Sequence, residues 1–159
     1  LDDREIPLPE RFFGGGATLH RGFPENQAGP RDLVTGFPLG GSAILVNQIE
    51  ARFPLIGDTI GGVLFHDAGN VYRDMTKLSL RFKQRDVQDF NYMVHALGFG
   101  VRYRTPIGPI RLDLAYSINS PRFVGFKGTF DELLQGRGQR NVPQRINRFQ
   151  FHFSLGQSF

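Results

Sequence analysis

The chain has 159 residues, a net charge of +4 and neither Cys nor Trp. That length fits one domain, the lack of Cys excludes disulfides, a thiol nucleophile and Cys-ligated zinc, and a charge this mild on scattered arginines points to no nucleic-acid partner. A hydrophobic share of 40% excludes disorder, while 20 Gly and 16 Phe favour pleated, turn-rich structure over helix.

The chain opens at Leu1 without a charged-then-apolar leader, so a secretion signal is expected to be removed or to lie outside these residues. Leu1 to Gly41 is irregular and rich in Gly and Pro. Period two then takes over. From Ala43 to Phe53, Leu45, Ile49 and Phe53 oppose Gln48, Glu50 and Arg52. Phe53 to Gly57 reads as a tight Pro/Gly turn. From Gly61 to Tyr72 neither face is purely apolar, which predicts a strand bordered by protein on both sides. After a long polar link, Arg73 to Val94, Leu97, Phe99, Val101 and Tyr103 alternate with Gly98, Gly100, Arg102 and Arg104. Thr105 to Pro109 is a second tight turn. Ile110, Leu112, Leu114 and Tyr116 then alternate with Arg111, Asp113, Ala115 and Ser117. The longest link, Ile118 to Asn147, precedes a last strand on which Phe149, Phe151, Phe153, Leu155 and Phe159 share a face.

Both tight turns fall at one end of the strands and all three long segments at the other. Compact soluble domains seldom carry structureless loops beyond about 15 residues, whereas transmembrane barrels alternate short turns with long loops. The strands run about 10 residues, enough to cross a bilayer when tilted. No apolar run approaches the roughly 20 residues of a membrane helix, the longest being Ala43-Ile44-Leu45-Val46. The second face, with Gly, Ala, Ser, Gln, His and paired charges, suits a crowded polar interior. Glu50, Arg52, Arg102, Arg104, Arg111 and Asp113 are expected to form a structural ion lattice there. The histidines lack metal-ligand spacing, Gly98-x-Gly100 precedes no helix, and no acid/base pair stands out. The reading therefore includes no catalytic residue, no metal and no cofactor.

Four segments resemble a known family. Arg11-Phe12-Phe13-Gly14-Gly15-Gly16 followed by Leu19-His20-Arg21-Gly22-Phe23 resembles the Arg-Gly-Phe/Tyr loop motif of the BamA/TamA superfamily of outer-membrane assembly barrels. Phe65-His66-Asp67-Ala68-Gly69-Asn70-Val71 is similar to its Phe-x-Asp-x-Gly-x-Val strand. Gly98-x-Gly100-x-Arg102 with Pro106-Ile107-Gly108-Pro109-Ile110-Arg111-Leu112-Asp113-Leu114-Ala115 resembles its penultimate hairpin, and Phe151 to Phe159 its closing strand. The resemblance implies that the loop folds into the barrel lumen, with Arg21 on Asp67, Gly22 turning tightly behind it and Phe23 packed on the wall. It also implies that Phe151, Phe153, Leu155 and Phe159 form a C-terminal insertion signal. His20 replaces an aliphatic residue, a change expected to alter only packing. The family's barrel has sixteen strands behind periplasmic POTRA modules; this chain corresponds to the loop and about five strands.

The expected fold is therefore all-β: part of an antiparallel transmembrane β-barrel, with residues 1–41 as a lumen-inserted loop region and 42–159 as strands joined by two tight turns and two long loops. Closure requires strands from an upstream segment, a partner subunit or copies of the chain. The implied function is non-enzymatic assembly, insertion or translocation of outer-membrane proteins by edge-strand templating at a barrel seam. The partners are the lipid bilayer and nascent outer-membrane proteins, and the location is the bacterial outer membrane. The alternative is a small structural or pore-like barrel formed by self-association.

Overall fold

Seven strands carry most of the regular structure in the computed structural model, which describes residues 6–156. They are β1 (Ala43–Ile56), β2 (Ile60–Tyr72), β3 (Val94–Thr105), β4 (Gly108–Ser117), β5 (Arg122–Lys127), β6 (Gln139–Arg145) and β7 (Phe149–Leu155). β1, β2, β3, β4 and β7 form one antiparallel sheet in that order, and β5 pairs with β6 alone. The large sheet is thus a meander with one excursion between β4 and β7, and it is not closed.

Pairing turns the alternation of each strand into rows across the sheet, because directly paired residues share a face. Leu64, Phe99, Leu114 and Phe151 make one row, and Gly62, Val101, Leu112 and Phe153 the row two residues away. This apolar face is open: Leu64 is 53% and Phe151 66% exposed. The rows between them lie on the other face, where Phe65 pairs with Gly98 and Val63 with Gly100, then Ala115 and Asp113. There the side chains are buried, down to 0% exposure at Ala115 and 1% at Asp113. The greasy stripe therefore faces outward and the small, ionic stripe faces protein. A water-soluble β-sandwich would bury the first and wet the second.

Glycine makes the inner rows possible. A Cβ at Gly98 would collide with the Phe65 ring, and one at Gly100 with the Asp113 carboxylate. The Gly-x-Gly of β3 is thus clearance for neighbours across the ladder.

Three details depart from the sequence reading. β1 continues through Phe53, Pro54 and Leu55, so the first turn is Gly57-Asp58-Thr59 rather than Phe53 to Gly57. Pro54 stands at an irregularity near the strand's end, where the register shifts between Pro54 and Ile56, and such positions tolerate Pro. The link Ile118 to Asn147 is not structureless. It holds the β5–β6 hairpin and a short helix (Phe130–Leu134) that begins with a capping box between Thr129 and Glu132. The N-terminal segment is likewise organised, with a one-turn helix at Gly16–Leu19 and bridges joining Phe12 to Gly41 and Arg31 to Pro38.

The largest apolar core sits at the long-loop end. Phe23 and Ala28 of the N-terminal segment meet Val71 of β2, Tyr92 and Val94 around the start of β3, and Ile146 of the long link. β2 is bordered on both sides only toward this end. Asp67 to Tyr72 are all buried there, while Leu64 stays open. Asn70 donates to the carbonyls of Phe90 and Tyr92, and Tyr72 to that of Ser79, so the link folds back over the strand end.

Candidate functional site

Residues 20–23 lie on the ionic face of the large sheet and touch four of its five strands. Gly15 and Gly16 set up the approach with φ of 113° and 84°, values open to glycine and strained for other residues. The Gly16 N–H then bonds the Phe23 carbonyl at 3.0 Å, closing a compact loop with Arg21 at its tip.

Arg21 is 1% exposed and Asp67 is fully buried. The guanidinium forks onto the carboxylate, Nε to Oδ2 at 2.8 Å and Nη2 to Oδ1 at 2.6 Å, and the Arg21 backbone N–H donates to Oδ2 at 2.9 Å. Nη1 reaches Glu50 Oε1 of β1 at 2.6 Å. The guanidinium carbon lies 3.5 Å from the centre of the Phe65 ring, which supports the cation from below. One arginine thus takes two carboxylates and an aromatic face. Charge-assisted forks of this kind are the strongest hydrogen bonds a side chain can make.

The neighbours of Arg21 extend the contact. Gly22 lies against β3, where an added Cβ would stand 2.6 Å from that of Ala96. Phe23 enters the apolar core. His20 does more than pack, contrary to expectation. The Gly22 N–H donates to its Nδ1 at 3.2 Å, so Nε2 carries the proton and donates to the Val94 carbonyl at 3.0 Å. From β7, His152 Nε2 lies 2.9 Å from the Arg21 carbonyl and donates to it. Sequence reading missed His20 and His152 as contacts. The only signals were the departure from an aliphatic residue at 20 and the inward parity of 152.

The other charges singled out by sequence fall into two groups on the same face. Glu50 holds Arg52 at 2.8 Å as well as Arg21. Asp113 takes a fork from Arg102 at 2.6 and 3.2 Å and a longer contact from Arg111 at 3.5 Å. Toward the short-turn end, Arg52, Arg102, Arg104 and Arg111 line a cleft of about 620 Å³ with Asp58. No group of three or more His, Asp or Glu suited to a metal occurs among the described residues. Phe151, Phe153 and Leu155 stand on the open apolar face of β7, at 58–66% exposure. Phe159 lies outside the described residues.

Residues 2–159 match the Omp85 superfamily domain. The chain belongs to this superfamily. The strands of its large sheet are therefore transmembrane strands of part of a β-barrel in the bacterial outer membrane, and the open apolar face is the lipid face. Among curated relatives, the chain is 26% identical to the outer membrane protein assembly factor BamA of Neisseria meningitidis serogroup B, with 72% of this chain covered. It spans 17% of that relative's length. As an Omp85 segment, the sheet has its short turns on the periplasmic side and its long loops outside.

Proposed function

We propose that this segment forms the closing part of a barrel that assembles, inserts or translocates outer-membrane proteins without enzymatic chemistry. β7 serves as the templating edge, and the docked loop holds that edge in place. The observation that carries this reading is the position of β7. Among the described residues it pairs only with β4, and it is the shortest strand of the large sheet, 7 residues against 10 to 14 for the others. A free edge offers a row of backbone donors and acceptors, so an incoming strand gains main-chain bonds while alternate side chains set its register.

The loop contributes by bridging. Arg21 holds β2 and β1 through its side chain and β7 through its carbonyl. The edge strand is thereby tied to the far side of the sheet without occupying its outer backbone groups. The family assignment and the similarity to an assembly factor support the same reading.

The test uses the full-length protein that contains this segment. Ser154→Cys on β7 should form disulfides with cysteines placed along a stalled substrate's terminal strand, at alternate positions only. Lys127→Cys on the hairpin should form none. Equal capture at both sites would overturn edge templating. Failure to accelerate substrate folding into liposomes, together with increased ion flux, would instead favour the self-associated pore.

A further inference from the structure

A second cluster of charge lies away from the docked loop. Where the links after β2 and β4 meet the start of β7, Lys83, Arg122, Arg145 and Arg148 line a pocket of about 190 Å³ with Phe82 and Ser120. On the ionic face Arg21, Arg52, Arg102 and Arg111 are matched with carboxylates. Among the described residues none of these four cations forms an ion pair.

Two independent observations point to an anion. The β5–β6 register sets Arg122 directly across from Arg145, and like charges placed opposite on a ladder repel. The hairpin's carboxylates, Asp131 and Glu132, pair with neither arginine among the described residues, whereas an anion between the two would relieve that repulsion. Separately, Ser120 is 4% exposed, lines the same pocket, and its hydroxyl has no hydrogen-bond partner. A buried hydroxyl left unbonded is costly, and an anionic oxygen would accept from it.

Depth and facing select the kind of anion. Arg148 donates to the Tyr116 hydroxyl at 3.1 Å. Tyr116 belongs to the lipid-facing row of Leu97 and Phe149, with the Phe149 ring 5.0 Å away. The Phe82 ring lies 5.2 Å from that of His95, which is on the same face two residues nearer the long loops. The pocket therefore stands on the outer rim of the lipid face, immediately above aromatics placed where a barrel carries its interfacial girdle.

We propose that this pocket binds the phosphate group of an outer-leaflet lipid headgroup. Arg122 and Arg145 would fork onto the phosphate, Ser120 would donate to it, and the acyl chains would lie down the stripe of Leu97, Phe149 and Phe151. The inference rests on the family's membrane placement and is independent of any assembly activity.

The experiment reconstitutes the full-length protein into nanodiscs of phosphatidylcholine with and without diphosphorylated lipid A, and measures bound lipid A and thermal stability. Lipid A should bind and raise the melting temperature. Arg122→Gln with Arg145→Gln should weaken binding by about tenfold or more, given roughly 1 kcal/mol per basic residue at a charged membrane surface. The same double variant should melt no lower than wild type in phosphatidylcholine alone, because the opposed charges are gone. Arg122→Lys with Arg145→Lys should retain most of the binding. Arg137→Gln with Arg140→Gln removes two charges from the same excursion outside the pocket and should leave binding within about twofold of wild type. Equal losses from the two Gln pairs would mean diffuse attraction and overturn the site. Displacement of lipid A by millimolar inorganic phosphate would show a free-phosphate site and overturn the lipid assignment.

Discussion

Arg21 reaches three partners because each supplies something the other two lack. Asp67 offers two oxygens in the plane of the fork, Glu50 a further acceptor beyond it, and Phe65 a π-face beneath. Removing one partner of a buried pair strands the other charge, at about 3–5 kcal/mol. Arg21→Ala or Asp67→Ala should therefore free the loop, seen as faster proteolysis between Gly14 and Glu25 and loss of the heat-modifiable folded band on gels. Wild-type resistance in both variants would remove the pairing from the loop's stability. Gly22 gives a sharper test of contact. Gly22→Ala should undock the loop, and adding Ala96→Gly should restore part of the protection, since the closest clash is with the Ala96 Cβ and a lesser one is with the His20 ring. His20 sets the pH response. Burial pushes its imidazole below the ordinary value of 6.5, so the undocked loop takes up a proton before the docked one does. Docking is then fully stable above about pH 6.5 and weakens as pH falls below it. Protease protection should follow that course in wild type and be flatter in His20→Gln.

At the level of elements, the sheet works as two unlike surfaces set by one period. Leu112 and Arg111 are neighbours in β4 yet face opposite media. Leu112 lies in the row of Val101 and Phe153, while Arg111 faces Asp113 from the ionic side. Leu112→Arg should destabilise the folded barrel by about 2–4 kcal/mol if the residue sits near the midplane, measured by urea titration in vesicles. Arg111→Leu should escape that lipid penalty. Equal tolerance of both changes would reverse the two faces. The hairpin excursion has a capped helix at its tip, while Phe123 and Ile146 at its base pack on the apolar core. Thr129→Ala should cost about 1 kcal/mol locally, visible as faster amide exchange over Phe130–Leu134 with the transmembrane strands unchanged. The two surfaces and the second turn were legible in sequence, because the pleat converts alternation directly into facing, whereas the first turn was placed too early because Pro54 lies within β1. The excursion was not legible. Gly125, Pro143 and the run of basic and amide residues hide β5 and β6, which pair with each other rather than bury a stripe.

At the largest scale, among the described residues the five-stranded sheet has two free edges, β1 and β7. In hydrocarbon, every unpaired backbone group costs several kcal/mol, so this segment is stable only when other strands complete the ring. The 159 residues expressed alone and held in detergent should give a particle heavier than one chain, by light scattering or native mass spectrometry. A well-folded single-chain particle would contradict the open-sheet architecture. The loop fits the same requirement. By touching β1, β2, β3 and β7 from within, it links these strands through contacts on the ionic face.

Period-two alternation, loop-length parity and glycine placement determined by themselves that this protein is all-β, that its strands have a greasy and an ionic side, and which strands lie between which loops. Those properties are local, since each follows from the pleat and from the few residues between one strand and the next. The partners of Arg21 beyond Asp67, the tautomer of His20, the reach of His152 across 131 residues and the opposition of Arg122 to Arg145 were decided only in three dimensions. Such contacts depend on register and on where a loop lands, and neither is written in any one segment of the chain.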